Sequence, residues 1–177
     1  MKIFSNGSSF AAGSYPMCLA KLFDADLTNI STPGYSNRSI WRTTIEYDPK
    51  DYDLAVIQLT SKSRTEYYNR YWIEVSPQLS HPNMGDAKKL WQFWYENLYS
   101  NEYGDCDENF AIEGLRNYFD VNKIPCIIVT TDKFTNSSKF DLNLFDINFP
   151  MDETRHPTTI GHKIIAKKIY EIAGTRM

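Results

Sequence analysis

The amino-acid sequence predicts an α/β fold, a three-layer α/β/α sandwich built on a mostly parallel sheet. Strand-like and helix-like segments alternate along the chain, and two of the strand segments are near-continuous apolar runs, over residues 54–59 and 124–130. Such runs are typical of strands that helices bury on both faces. The 177 residues contain no internal repeat and no long linker, so we expect one domain over residues 1–177.

The first half of the chain supplies three strands and two helices. The strands are predicted over residues 2–5, 25–31 and 54–59. Polar or glycine-containing turns follow them. A helix over residues 16–22 has Pro16 near its first turn, and a second helix begins at a capping Asn37 and ends before Pro49. Strand, turn and helix therefore follow one another directly, as parallel strands with helical crossovers require.

The second half supplies one more strand, over residues 124–130, and three helices. The helices are predicted over residues 87–99, 111–119 and 158–172. The first of them has an apolar and aromatic side made of Leu90, Trp91, Trp94, Tyr95 and Leu98. A stripe of this kind more often packs into a core than binds a ligand, so we expect it to be buried.

Composition argues against several classes of partner. The 22 acidic and 19 basic residues give a net charge of −3 and are scattered, so we expect no nucleic-acid partner. Cys18, Cys106 and Cys126 share no C-x-x-C spacing, which argues against a disulfide framework and fits a reducing compartment. The first residues lack the apolar core of a signal peptide, and no run approaches 18 apolar residues. We therefore expect a cytoplasmic protein that does not bind membranes.

The sequence contains little evidence for a metal or cofactor site. The stretch from Asp105 to Asn109 begins like a calcium loop, but Phe110 and Arg116 stand where that loop needs Gly and Glu. The histidines do not have the spacing of a zinc motif; they are His81, His156 and His162. We expect neither a metal nor a cofactor.

Reactive side chains collect where chemistry is expected in such a fold. Ligands of open α/β sheets bind at the carboxyl ends of the strands. Ser9 follows the first strand there, while Asp152, Glu153 and His156 precede the last helix. A serine becomes a nucleophile at neutral pH when a base accepts its proton, and a carboxylate holds that base in the correct tautomer. The chain contains all three groups.

The order of these segments resembles the blocks of the GDSL or SGNH hydrolases, which have a flavodoxin-like sandwich. Gly7-Ser8-Ser9 resembles the first block, which implies that Ser9 is the nucleophile and that Ser8 replaces the usual Asp. Residues 29–34 resemble the second block, which implies that Gly34 lines the oxyanion hole. Residues 153–162, with His156 before Pro157, resemble the last block. The resemblance implies that His156 is the base and that Glu153, or Asp152 beside it, is the acid.

The third block departs from the family pattern. Where the family has Gly-x-Asn-Asp, this chain has Thr60-Ser61-Lys62-Ser63. The loss of one oxyanion donor costs about 10²–10³ in turnover unless another group replaces it. The candidate replacements are Asn37, Thr60, Ser61 and Arg64.

Arg64 is the replacement of most interest. Its guanidinium could hold an anionic substrate group or the oxyanion, with Glu66 orienting it. The spacing Thr60-x-x-x-Arg64-x-Glu66 resembles that of small SGNH-like proteins predicted in phages. This looser resemblance would imply a protein that a virus encodes and that is expressed in a host cell.

Each candidate residue also has a purely structural interpretation. Ser9 is placed to cap the first helix, and His156 to lie in a solvated loop. Asp152 and Glu153 would favour the start of the last helix through its dipole, by roughly 0.3 to 1 kcal/mol. Arg64 and Glu66 would form a surface ion pair. His162 is interpreted as structural. The order of Ser9, Gly34 and His156 along the chain favours the catalytic interpretation.

These residues are consistent with two alternative functions. The first is a serine hydrolase of carboxylic esters, an esterase or carbohydrate acetylesterase, that acts through a Ser-His-Asp/Glu triad and an acyl-enzyme. The second is a non-catalytic module on the same fold that binds a phosphate-bearing or carbohydrate ligand, because a Ser- and Gly-rich turn also suits phosphate. The aromatic stretches Tyr67-Tyr68 and Tyr71-Trp72 would suit a carbohydrate or a core. The substrate, the triad acid and the oligomeric state stay open.

Overall fold

The computed structural model describes residues 1–77, 86–133 and 135–176. The strands are β1 (Lys2–Gly7), β2 (Asp26–Asn29), β3 (Leu54–Leu59), β4 (Thr65–Asn69), β5 (Tyr71–Val75), β6 (Cys126–Thr130) and β7 (Leu142–Asn143). The helices are α1 (Tyr15–Phe23), α2 (Asn37–Tyr47), α3 (Asp86–Asn97), α4 (Asn101–Val121) and α5 (Thr159–Ala173). His81 and the side chain of Leu90 lie outside the described residues.

Five strands form one parallel sheet in the order β2-β1-β3-β6-β7. Each neighbouring pair in it is parallel, which places the carboxyl ends of all five strands at one edge. The other two strands, β4 and β5, form a separate antiparallel hairpin. Helices cover both faces of the large sheet, so the predicted α/β/α sandwich with a mostly parallel sheet is confirmed.

The core alternates across the sheet residue by residue. In β3, Leu54 and Val56 pack on the face covered by α1 and α5, whereas Ala55, Ile57 and Leu59 pack on the opposite face. That second face is covered by Ile40 of α2 and by the α4 residues Ile112, Leu115 and Phe119. Apolar side chains pack on both faces, which explains why β3 is a run of buried residues without polar alternation.

Helix α4 begins at Asn101, ten residues before its predicted start. Its first turn is capped by Ser100, whose hydroxyl accepts from the Tyr103 N–H at 3.1 Å. Asp107 and Glu108 are buried on its inward side, so this half of the helix lacks the apolar stripe from which the prediction was made. The calcium-like stretch from Asp105 to Asn109 lies inside the helix.

Helix α2 is capped by Ser36 and not by Asn37, so that part of the prediction is wrong. The Ser36 hydroxyl accepts from the Ser39 N–H at 3.2 Å. Asn37 is the first helical residue, and its side-chain amide hydrogen-bonds to the Thr60 backbone. The hairpin β4–β5 was not predicted, because residues 60–66 were interpreted as a loop. Among the described residues, no helix is both long and apolar enough to cross a membrane.

Candidate active site

The turn that carries Ser9 is held in place by a glutamine inside the sheet. Gln58 lies in β3 with no exposed surface, and its Oε1 accepts from the backbone N–H groups of Ser8 and Ala11, each at 3.1 Å. Its Nε2 donates to the Leu59 carbonyl at 2.7 Å. Both halves of the amide are therefore satisfied, and the turn that follows β1 is fixed to the neighbouring strand.

Gly7 ends β1 at a place where no side chain fits. A Cβ there would lie 2.8 Å from the Gln58 carbonyl oxygen and 2.8 Å from the Ala11 Cβ. The loop after β2 lies against the same turn, because the Thr32 N–H donates to the Gly7 carbonyl at 3.0 Å and the Asn29 amide donates to the Ala11 carbonyl at 2.9 Å. The first and second blocks are thus adjacent.

Two candidate oxyanion donors are free within the described part of the chain. Neither the Ser9 N–H nor the Gly34 N–H makes a hydrogen bond there. Gly34 has a φ of 94°, which a residue with a side chain rarely adopts, and open space surrounds the position of its missing Cβ. Ser9 is half-buried, and its hydroxyl likewise has no partner among the described residues.

His156 lies against the Ser9 turn. The rings of His156 and Phe10 are packed with centroids 5.5 Å apart, and Phe10 directly follows Ser9. The Nδ1 atom of His156 is 3.1 Å from the Thr154 carbonyl oxygen. A carbonyl can only accept, and the Thr154 hydroxyl, which is also 3.1 Å from Nδ1, donates its proton to Asp152, so both contacts favour a proton on Nδ1 and a lone pair on Nε2. This tautomer is the one that a general base requires.

The two candidate acids have different surroundings. The Asp152 carboxylate accepts from the Thr154 N–H at 2.8 Å, the Thr154 hydroxyl at 2.6 Å and the His156 backbone N–H at 3.1 Å. These bonds, that of the Thr154 side chain first, lower the pKa of Asp152. Asp152 therefore fixes the loop and does not contact the imidazole ring. Glu153 is exposed and forms no hydrogen bond with the described residues.

In the third block, Asn37 and Thr60 are joined to one another. The Thr60 N–H donates to the Asn37 Oδ1 at 2.8 Å, and the Asn37 amide donates to the Thr60 carbonyl at 3.2 Å. The amide of Asn37 thus connects the start of α2 to the end of β3.

Arg64 lies on the Ser9 turn, but Glu66 does not orient it. The Arg64 Nη1 donates to the Ser8 hydroxyl at 3.0 Å. Glu66 instead pairs with Arg42, whose Nε and Nη2 reach its two oxygens at 3.0 and 2.8 Å. The expected Arg64–Glu66 pair is therefore wrong, because Glu66 belongs to β4 and points toward α2.

Two carboxylates, the buried Glu66 and the half-buried Glu74, connect the hairpin to α2. Glu66 and Glu74 are opposite one another in β4 and β5, and both contact the Ser39 hydroxyl. The Glu74 carboxylate also accepts from the Ser36 N–H at 2.9 Å. Burial raises the pKa of Glu74. Glu66 also pairs with Arg42, so Glu74 is the member of this pair that has no cation within ion-pair distance among the described residues.

His162 packs against Gly13, in the turn that follows Ser9. It is buried in α5, and a side chain at Gly13 would lie 2.6 Å from its Cε1. Its ring is parallel to that of Tyr15, with centroids 6.5 Å apart. Burial first, and then the nearby His156, lower the pKa of His162.

A second concave surface lies between the hairpin, α2, α3 and α4. Two cavities of about 410 and 490 Å³ adjoin there and share Arg38, Glu66, Trp72 and Tyr103. We call it the aromatic cleft; its other walls include Trp41, Tyr67, Tyr68, Trp91, Phe93, Trp94, Leu98 and Phe110. The apolar side of α3 is thus only partly core, since Trp91 is buried while Leu98 is 54% exposed.

Sequence reasoning missed Gln58, Glu74 and the aromatic cleft. Gln58 left a signal, a polar residue inside an otherwise apolar strand, which has to be satisfied when it is buried. Glu74 gave no such signal in the sequence, because its environment depends on the hairpin, which was not predicted.

No protein-family model matches the chain, and no curated protein matches it. Solved structures do. One is described as a lipolytic protein of the G-D-S-L family from Desulfitobacterium hafniense DCB-2; it is 11% identical, with a TM-score of 0.56 over 97% of this chain and 98% of that one. The psychrotrophic esterase EstA from Pseudoalteromonas sp. is 11% identical, with a TM-score of 0.57 over 99% and 97%.

A carbohydrate esterase, described as having an active site with divergent catalytic and non-catalytic binding functions, is also similar. It is 10% identical, with a TM-score of 0.58, and the match covers 98% of this chain and 64% of that one. Identities this low show a shared fold. They do not bear on the resemblance to phage proteins.

Proposed function

We propose that this chain, which has the fold of the GDSL or SGNH hydrolases, is a serine hydrolase of carboxylic esters. The observation that carries the proposal is the packing of His156 on Phe10, which brings the candidate base to the turn of Ser9. The contact of Nδ1 with the Thr154 carbonyl supports it further, because it leaves Nε2 free to accept a proton.

The proposed reaction proceeds in two steps. The Ser9 Oγ attacks the ester carbonyl while its proton passes to the Nε2 of His156. The backbone N–H groups of Ser9 and Gly34 stabilise the oxyanion. As the carbon–oxygen bond to the alcohol breaks, His156 returns the proton to that alcohol. Water then attacks the acyl-serine by the same path, and the acid product leaves with Ser9 restored.

Asp152 is the proposed acid, acting as a positioning residue. Its carboxylate orients the loop through Thr154 and the His156 N–H. Its negative charge also favours the imidazolium form that arises when His156 takes the proton. Glu153 remains the alternative acid. Its side chain is exposed and makes no hydrogen bond with the described residues, so it would have to rotate to contact the ring.

Of the third-block candidates, Arg64 has free donors near the turn, whereas the Asn37 amide and the Thr60 backbone hold one another. Arg64 is therefore the proposed substrate-binding residue of this block. Thr60 keeps its hydroxyl as a candidate donor to the oxyanion. The substrate is a small-molecule or carbohydrate ester.

The test is hydrolysis of 4-nitrophenyl acetate by the wild type, Ser9→Ala and His156→Ala. We expect turnover to fall by about 10³-fold or more in each variant, since nucleophile and base act as one unit. The control is Ser138→Ala, whose exposed hydroxyl donates only to Asn136 at 2.9 Å. Unchanged turnover in His156→Ala would overturn the assignment of the base.

The aromatic cleft favours a second candidate, a module that binds carbohydrate without catalysis. Its charged residues form two pairs, Arg38 with Asp107 and Arg42 with Glu66, so the cleft carries no net charge. Arg42 also lies over the Trp72 ring, 4.2 Å from its centroid. Hydrogen-bonding groups whose charges cancel, set beside aromatic faces, suit a neutral oligosaccharide.

Calorimetric titration with xylohexaose tests this second candidate. Binding that is lost in Trp72→Ala and kept in Ser9→Ala would support the cleft as its site. If that binding accompanied a complete lack of ester hydrolysis, the module would replace the enzyme as the proposed function.

A further inference from the structure

Arg64 differs from the other half-buried arginines of the described chain. Those are Arg42, which pairs with Glu66 and Glu46, and Arg116, which lies 3.5 Å from an Asp141 oxygen. Arg64 has no carboxylate within ion-pair distance among the described residues. Partly buried charges are normally paired, because loss of hydration disfavours the charged form.

The guanidinium of Arg64 also has unused donors. Its one hydrogen bond within the described residues runs from Nη1 to the Ser8 hydroxyl. A guanidinium carries five N–H groups in a planar fork, and this arrangement matches a carboxylate or a phosphate in a bidentate manner. The half-buried Glu74 carboxylate acts on Arg64 only from beyond ion-pair distance.

The position of Arg64 relates it to the reacting atoms. Arg64 contacts the hydroxyl of Ser8, and Ser8 directly precedes the proposed nucleophile Ser9. An anion there would complete the partner set of Arg64. It would also fix the acyl part of the substrate before attack.

We infer that Arg64 forms a subsite for an anionic group on the acyl part of the ester, so that the natural substrates are hemiesters of short dicarboxylic acids or acyl esters of similar charge. This inference rests on the proposed function. The chemistry is unchanged: the Ser9 Oγ–carbon bond forms, the bond to the alcohol breaks, and water releases the diacid.

The test compares 4-nitrophenyl hemisuccinate with 4-nitrophenyl butyrate, which has the same chain length and no charge. We expect the wild type to prefer the hemisuccinate in kcat/KM, and Arg64→Gln to lower that preference about ten- to a hundredfold, as loss of a charge-assisted hydrogen bond does. Arg64→Lys should retain part of the preference.

The matched control is Arg70→Gln, which removes the same charge from the exposed turn between β4 and β5. It lies six residues beyond Arg64, roughly 16 Å or more along the strand. Its preference should equal that of the wild type. An equal loss for both esters in Arg64→Gln would mean that Arg64 serves the oxyanion, and a wild type that prefers butyrate would likewise overturn the subsite.

A binding measurement separates this inference from the proposed function. Monomethyl succinate is titrated into the wild type and into Arg64→Gln by calorimetry. If the wild type hydrolyses no ester but binds monomethyl succinate only when Arg64 is present, the enzyme is excluded and the anion subsite stands. Absence of binding, or equal binding by both proteins, overturns the subsite.

Discussion

At the scale of single residues, the candidate site depends on polar groups that are satisfied inside an apolar sheet. Gln58 holds the N–H groups of Ser8 and Ala11, and Asp152 holds the loop of His156. Neither side chain is proposed to react. Both set the position of a side chain that does, which is how a rigid site is supported.

Gln58→Leu is expected to lower the free energy of unfolding by about 2–4 kcal/mol, because it leaves two buried N–H groups without an acceptor. The Ser9 turn should also lose its position, so that turnover falls. Urea denaturation and ester hydrolysis check the two effects. Gln92→Leu, at an exposed position of α3, is the matched control; we would not expect a stable and fully active Gln58→Leu if Gln58 holds the Ser9 turn.

Asp152→Asn should reduce turnover more than Glu153→Gln does. The amide of an asparagine cannot supply the charge that favours the imidazolium, and three hydrogen bonds now converge on the Asp152 carboxylate. We expect a loss of about tenfold or more for Asp152→Asn and less than threefold for Glu153→Gln. Rates for 4-nitrophenyl acetate decide between them, and the reverse order would assign the acid to Glu153.

At the scale of elements, the hairpin β4–β5 is joined to α2 through two carboxylates, one buried and one half-buried. Glu66 pairs with Arg42, and Glu74 accepts from Ser36 at the helix start. The two glutamates also face one another across the hairpin. Like charges placed in this way repel, unless one of them is protonated.

Glu74→Gln is expected to stabilise the protein at pH 8 but not at pH 5. The raised pKa of Glu74 means that the folded state holds its proton more firmly than the unfolded state. This contribution to stability is therefore present at low pH and is lost as the pH rises through the raised pKa. The neutral glutamine avoids this loss.

Urea denaturation at both pH values measures the difference, and the exposed Glu113→Gln is the control. A destabilisation by Glu74→Gln that is the same at pH 5 and pH 8 would show that Glu74 is charged in the folded state.

Which elements could be predicted depends on how apolar they are. The run at residues 54–59 is β3 without a change of bounds, because a strand buried on both faces leaves a simple pattern. The start of α4 and the hairpin could not be predicted, since their inward residues include Asp107, Glu66 and Glu74, which only tertiary partners neutralise. Likewise, the sequence indicated Arg64 as a candidate site residue, but its hydrogen bond to the Ser8 hydroxyl was not predicted.

At the scale of the molecule, the sheet separates two apolar cores. Leu19 of α1 lies in one, and Leu115 of α4 lies in the other; neither has any exposed surface. The parallel arrangement brings the turns after β1, β2 and β3 to one edge. Because Ser9, Gly34 and Arg64 each follow one of these strands, the sequence predicts that they lie near the same edge of the sheet.

Leu19→Ala and Leu115→Ala should each lower the free energy of unfolding by about 2–5 kcal/mol, the cost of a core cavity. The two losses should add, because the sheet lies between the sites and they share no contact. Urea denaturation of both single variants and of the double variant measures this. A double variant that loses much less than the sum would contradict two separate cores.

The central claim is that Ser9 is activated by His156. The most direct measurement is the intact mass of the wild type, Ser9→Ala and His156→Ala after incubation with a fluorophosphonate, which labels activated serines. The account predicts one adduct on the wild type, none on Ser9→Ala and a strongly slowed reaction in His156→Ala. A wild type that takes up no adduct, or an adduct that persists in Ser9→Ala, would contradict it.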